Sequence, residues 1–230
     1  MIYRLVNSLH NLENINSPYN YDNHAVPRVT DIIGIFQNEQ LLKWSNSLGF
    51  RKLNYEQELN RLANIGTLVH AEIDNFIKNK IEGTTEGFKA FLRWWNDINK
   101  GNKVKIIYNE YTVIGKNFGG TIDLLISIND RLYIVDFKTS NVITYKHFLQ
   151  LAAYRYLLQS EKSVIVDGVI ILQLNKYKPE YQEYMINIKN YDQYQFIESC
   201  EKTFLSLVYS YYNLYNIKNS FNNIFTFEKL

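Results

Sequence analysis

Apolar residues recur along this chain in two rhythms, and the rhythm changes near residue 103. Over 55–80, Leu59, Leu62, Val69, Ile73 and Phe76 return at intervals of three, four or seven, which sets them on one stripe of a long helix. Phe88, Phe91, Leu92 and Trp95 do the same over 85–99. Shorter helices fit 30–38, opened by Thr30 or Asp31 after Pro27, and 39–48, closed near Gly49. Residues 1–27, rich in turn-forming Asn, Ser and Pro, read as a wrap over the surface. Beyond Lys103 the apolar residues become β-branched and aromatic, and 104–114, 118–128 and 131–138 read as strands. A helix over 144–158, strands over 164–174 and 181–188, and a helix over 191–215 follow. This order predicts one α/β domain over 1–230, a central mixed sheet flanked by helices. Its 1–100 part is mainly helical, 101–190 holds the sheet, and 191–230 is a C-terminal helix and tail.

Composition narrows the function without naming it. The 230 residues suffice for a core that needs no disulfide. The one cysteine, Cys200, cannot pair internally or hold zinc or an iron–sulfur cluster alone, which suits a reducing, cytoplasmic setting; a mitochondrial matrix is the other compartment compatible with it. No apolar run reaches the ~18 residues of a membrane span, and MIYRLVNSLHNLEN has no secretory apolar stretch. The net charge of +2 hides any nucleic-acid preference, which would need a local basic surface such as Lys146, Arg155, Lys176 and Lys178. Trp94 and Trp95 read as core before they read as a strand channel.

The chemistry concentrates in GGTIDLLISINDRLYIVDFKTS, residues 119–140. Asn129-Asp130 is a two-residue hairpin turn. With Ile128 facing Arg131, Asp123 falls opposite Asp136, and Lys138 projects from the Asp136 face. Leu124, Leu125, Ile134 and Val135 make both strands central and buried. Two carboxylates facing each other there repel, and desolvating them without a partner costs several kcal/mol. A divalent cation such as Mg²⁺ removes that conflict, since it wants oxygen ligands. Lys138 then brings a positive charge to a water or phosphate. A lone D-x-K would be an ordinary ion pair; the second aspartate at the paired position changes that reading. Thr139 and Ser140 follow, with hydroxyls that suit phosphate.

G-T-I-D followed by V-D-F-K-T-S resembles the core of PD-(D/E)XK nucleases, in particular the RecB-like exonuclease branch. Gly66-Thr67-Leu68-Val69-His70 resembles that branch's G-T-x-x-H helix, Gln150-Leu151-Ala152-Ala153-Tyr154 its Q-x-x-x-Y motif, and Val26-Pro27-Arg28-Val29-Thr30 the P-S-V-T opening of phage and mitochondrial genome maintenance exonucleases, with Arg28 in place of the serine. The resemblance covers roughly 26–160 in the family's order. It implies a restriction-endonuclease-like core and Mg²⁺ or Mn²⁺ held by His70, Asp123, Asp136 and the Phe137 backbone carbonyl. Lys138 would serve catalysis, and Gln150 and Tyr154 the DNA end. Glu110 matches a frequent acidic position, as a second-metal or supporting residue, but a one-residue slip in β pairing turns it away. One metal or two stays open. A single cysteine leaves no iron–sulfur cluster, and no phosphate-binding G-x-x-x-x-G-K-[ST] loop is present. The implied activity is exonucleolysis of single-stranded or free-ended DNA in replication, repair or recombination, with protein partners of those processes unidentified. An endonuclease, or a non-catalytic DNA-binding protein on the same fold, is the alternative.

Overall fold

The computed structural model describes residues 15–36 and 39–224. Two short strands, β1 (Asn20–Tyr21) and β2 (His24–Ala25), pair in the segment read from sequence as a surface wrap; residues 1–14 of that segment lie outside the described residues. Four helices follow: α1 (Val29–Ile33), α2 (Glu39–Phe50), α3 (Tyr55–Asn79) and α4 (Glu86–Asn99). The first is shorter than the 30–38 read from sequence, whose residues 37 and 38 lie outside the described residues. It starts one residue early because Asp31 accepts a hydrogen bond from the Arg28 N–H at 3.3 Å. Asn54 caps α3 by accepting from Gln57 N–H at 3.0 Å, and Thr85 caps α4 by accepting from Phe88 N–H at 3.1 Å.

The sheet runs in the order β3 (Val104–Gly115), β4 (Phe118–Ile128), β5 (Arg131–Lys138), β6 (Gly168–Leu174) and β7 (Tyr181–Asn187). Helix α5 (Tyr145–Lys162) carries the chain from β5 to β6, so these two strands are parallel, whereas every other pair is antiparallel. Helix α6 (Tyr191–Ile224) closes the fold. A mixed five-stranded sheet flanked by helices is the restriction-endonuclease-like arrangement expected. At the β4–β5 hairpin, Asn129 and Asp130 both have positive φ (51° and 61°), the two-residue turn that sets Ile128 against Arg131.

Both faces of the sheet are covered, which explains the unbroken apolar runs Leu124–Ile126 and Val169–Leu172. On one face α1, α5 and α6 pack Ile32, Leu151, Leu157, Phe204 and Val208 against Leu125, Ile134, Val169 and Ile171. On the other, α3 and α4 pack Val69, Ile73, Phe88, Phe91 and Trp94 against Leu124, Ile126, Val135, Phe137 and Leu172. Trp94 is core, and its indole N–H donates to Glu183 at 2.7 Å. The stripe on α3 is buried only from Val69 onward; Leu59 is 39% exposed because the first turns of the helix extend past the sheet. Strand β6 begins at Gly168 rather than at 164, because Val164 N–H closes the end of α5 on Leu158 O (2.9 Å) and Asp167 accepts from Leu132 N–H (3.0 Å). No helix among the described residues is long and apolar enough to cross a membrane.

Gly120 marks the tightest contact between β4 and α5 that bears on the site. A Cβ there would lie 2.5 Å from Cε1 of the buried Tyr154, whereas one at Gly49, in α2, would meet nothing within 4 Å. Gly120→Ala is therefore expected to lower stability by about 1–3 kcal/mol in urea unfolding, while Gly49→Ala is neutral or stabilising by under ~1 kcal/mol. Equal midpoints for the two variants would contradict this packing.

Candidate active site

The pleat of the sheet breaks at one rung, and the acidic residues sit on it. Strands β3 and β4 pair in register from Val104↔Ile128 to Ile106↔Ile126, a bulge at Ile107 shifts the pairing to Tyr108↔Leu125, and that count sets Glu110 opposite Asp123. Glu110 has φ 49°, in the left-handed region, so the strand kinks there. Asp123 marks a matching slip in β4. Phe118 and Ile122 pack toward α5 and α6, but Leu124 and Ile126, of the same parity, pack toward α3 and α4. On the other side β4 and β5 pair as far as Leu124↔Val135, the register read from sequence, and stop one rung before Asp123 and Asp136. The Asp123 carboxylate takes over there, accepting the Phe137 N–H at 2.7 Å.

His70 reaches this rung from α3. Val69 and Ile73 anchor the helix in the core on either side of it, and Gly66, one turn earlier, lies so near β5 that an added Cβ would stand 3.1 Å from Thr139 Oγ1. His70 Nδ1 lies 3.5 Å from Asp123 Oδ1, and its ring meets Phe137 edge-on at 5.7 Å. Ligand atoms of His70, Glu110 and Asp123 all lie within 4.8 Å of one another. Asp136, 1% exposed, holds Lys138 Nζ at 2.6 Å from its Oδ2, and among the described residues no other donor reaches that oxygen. Lys138 itself is 19% exposed, reaching from interior to solvent.

The electrostatics follow from the carboxylates of Glu110, Asp123 and Asp136 beside Lys138 and His70, with Asp74 and Lys78 acting on Glu110. Burial pushes the Asp136 carboxyl up to about 6; Lys138 pulls against this and Asp123 adds to it. Burial also works against the Asp123 charge, but His70, Lys138 and the Phe137 N–H outweigh it and hold its pKa below the ordinary value. For His70, burial opposes the charge and Asp123 overcomes it, raising the pKa. Burial, then Asp123, raises Glu110. The imidazole of His70 and the carboxylates of Glu110 and Asp123, gathered within 4.8 Å, fit a hard divalent cation such as Mg²⁺ or Mn²⁺, while Asp136 lies outside that group of three.

The remaining residues singled out from sequence are distributed around this centre. Gln150 Nε2 donates to Tyr154 Oη at 3.0 Å, and the Tyr154 ring is buried against β4, its hydroxyl pKa raised by burial and by the Asp136 charge. Ser140 Oγ donates to Val142 O at 3.1 Å. Arg155 is not part of a basic surface: it pairs with Glu201, both side chains largely buried between α5 and α6. Two groups escaped the sequence reading. His147, its pKa lowered to about 4 by burial and then by Lys138, accepts the Thr144 N–H on Nδ1 at 3.0 Å at the start of α5. Tyr19 lies against Gly119, with its hydroxyl 3.1 Å from Thr121 Oγ1. Neither carries a motif; only the fold brings them here.

A family model described as the PD-(D/E)XK nuclease superfamily matches residues 86–219, a stretch that holds Glu110, Asp123, Asp136, Lys138, Gln150 and Tyr154 but not His70. No curated protein matches the chain. Among solved structures, "Crystal structure of SSO0001" is similar over 90% of this chain and 84% of that chain, at 17% identity and a TM-score of 0.39.

Because Asp136 binds its proton more tightly folded than unfolded, metal-free protein takes up protons on folding between about pH 4 and 6. Its contribution to stability therefore falls as pH rises through that window. Urea unfolding at pH 4.5 and 7 should show wild type losing about 1–3 kcal/mol relative to Asp136→Asn at the higher pH. A difference that is constant or of opposite sign would refute the assignment.

Proposed function

The chain belongs to the PD-(D/E)XK nuclease superfamily, and on that premise we propose that it is a divalent-metal-dependent DNA exonuclease acting at single-stranded ends, in replication, repair or recombination. The superfamily itself suggests a metal-dependent nuclease with DNA as substrate. The observation that carries the reading is the convergence of His70, Glu110 and Asp123 beside the Asp136–Lys138 pair. Preference for ends is supported by the resemblance of the His70 helix and of the Gln150–Tyr154 pair to the RecB-like branch.

His70, Glu110, Asp123, Asp136 and the Phe137 carbonyl are the residues that would hold the ion. When bound, a divalent cation supplies Lewis acidity toward the phosphate and lowers the pKa of a water. The chain's own groups do the rest. Asp136 pairs with Lys138 and holds its side chain at the edge of the interior, so its amino group stands where negative charge grows on the phosphate oxygens. The Phe137 N–H fixes Asp123, and Asp123 in turn orients the His70 ring. Gly66 lets α3 lie against Thr139, narrowing the approach to the site. Thr139 and Ser140, just past Lys138, offer hydroxyls to the backbone of the DNA.

End-labelled linear and covalently circular single-stranded DNA, incubated with Mg²⁺, Mn²⁺ or EDTA, test this reading. The expected outcome is metal-dependent loss of the linear substrate alone, reduced at least ~10²-fold in Lys138→Ala with DNA binding kept. Cutting of the circle would replace the exonuclease by an endonuclease. Full activity of Lys138→Ala would overturn the mechanism.

A further inference from the structure

Beyond Lys138 the β6–β7 hairpin overhangs the end of β5 and leaves a cavity of about 330 Å³ between them. It lies at the carboxyl ends of the two parallel strands, the usual place for a ligand in an α/β sheet. Its floor is rigid. Gln173, the ladder partner of Lys138, donates to Ser140 O at 2.7 Å and accepts from Tyr184 Oη at 3.3 Å. Tyr181, also in the lining, turns its ring to the α4 side of the sheet, where its hydroxyl donates to Asp97 at 3.0 Å. The rim carries Asn141, Asn175 and Gln182, with the Asn175 Oδ1 accepting the Tyr177 N–H at 2.9 Å. Asn141 and Gln182 are exposed, and no hydrogen bond from another described side chain engages their amides.

The lining selects its ligand by charge and shape. It contains no lysine or arginine, and its one carboxylate, Glu180, repels phosphate. Side-chain amides offer paired donors and acceptors, which match the edge of a nucleobase. The volume is near the roughly 300 Å³ lower bound of ordinary small-ligand pockets, enough for one nucleoside and too small for a duplex. We propose that this cavity receives a single unstacked nucleobase of the strand being cut, next to the phosphate at Lys138. The proposal rests on the nuclease reading and deepens it. A base seated here would register the strand in the site and favour single-stranded DNA, because a paired base cannot enter.

Single-stranded oligonucleotides carrying one abasic residue, moved position by position from each end, test it. The expected result is a loss of about 10-fold or more in kcat/KM at one position only, mainly through KM. Gln182→Trp, which fills the cavity from an exposed position, should bind the unmodified strand correspondingly more weakly and respond to no abasic position; Asn141→Ala should weaken the response. Fluorescence anisotropy of the same strands in EDTA gives the binding arm. Equal rates and affinities at every position, or a wild-type response in Gln182→Trp, would overturn the pocket. Absence of cleavage of any strand by wild type would overturn the nuclease reading instead, and anisotropy would still decide the pocket.

Discussion

Like charges held on one rung of a buried sheet are the constraint around which this structure is organised. Glu110, Asp123 and Asp136 come from three adjacent strands; Lys138 and His70 oppose the two aspartates, and Lys78 acts on Glu110. A regular sheet cannot accommodate that rung, and this one does not: β3 bulges, β4 reverses its facing, and the β4–β5 ladder stops. The backbone group freed by the interruption, the Phe137 N–H, is satisfied by the Asp123 side chain. The disturbance is confined because apolar layers on both faces hold the strands just before it.

Each support element has a physical task toward that rung. Helix α3 is buried through Val69 and Ile73, and His70 between them is directed at Asp123 in the middle of β4. Glu72, in the same stretch, accepts hydrogen bonds from the N–H groups and hydroxyls of Thr84 and Thr85, tying α3 to the start of α4. Asn109 bonds to Asp74, fixing β3 to α3 beside Glu110. Behind the sheet, Tyr154 fills the space over Gly120 and is sealed by Gln150. The charged site thus stands on a frame tied together by these hydrogen bonds.

Much of this was legible in the sequence because it depends on short-range rules. Asn129-Asp130 specifies a tight turn, and the turn sets the register that aligns Leu124 with Val135. What escaped depends on tertiary context. A glutamate in the left-handed region has no compositional signature, and the facing of Glu110 is set by the bulge at Ile107, which no sequence pattern marks. The segment 164–167 has strand-like residues, but Val164 and Asp167 are used for a helix end and a side-chain bond. Arg155, on a helix near the site, is drawn inward by Glu201, some 46 residues away in the chain. His147 is brought near Lys138 by the packing of α5, which no local pattern encodes.

The central claim is that the interrupted rung is a divalent-cation site. Titration of Mn²⁺ into metal-free protein, followed by electron paramagnetic resonance at pH 7, tests it most directly. The account predicts saturable binding by wild type, weakened more than ~10-fold in Asp123→Asn and also weakened in Glu110→Gln. Absence of saturable binding, or affinities unchanged in both variants, would contradict it.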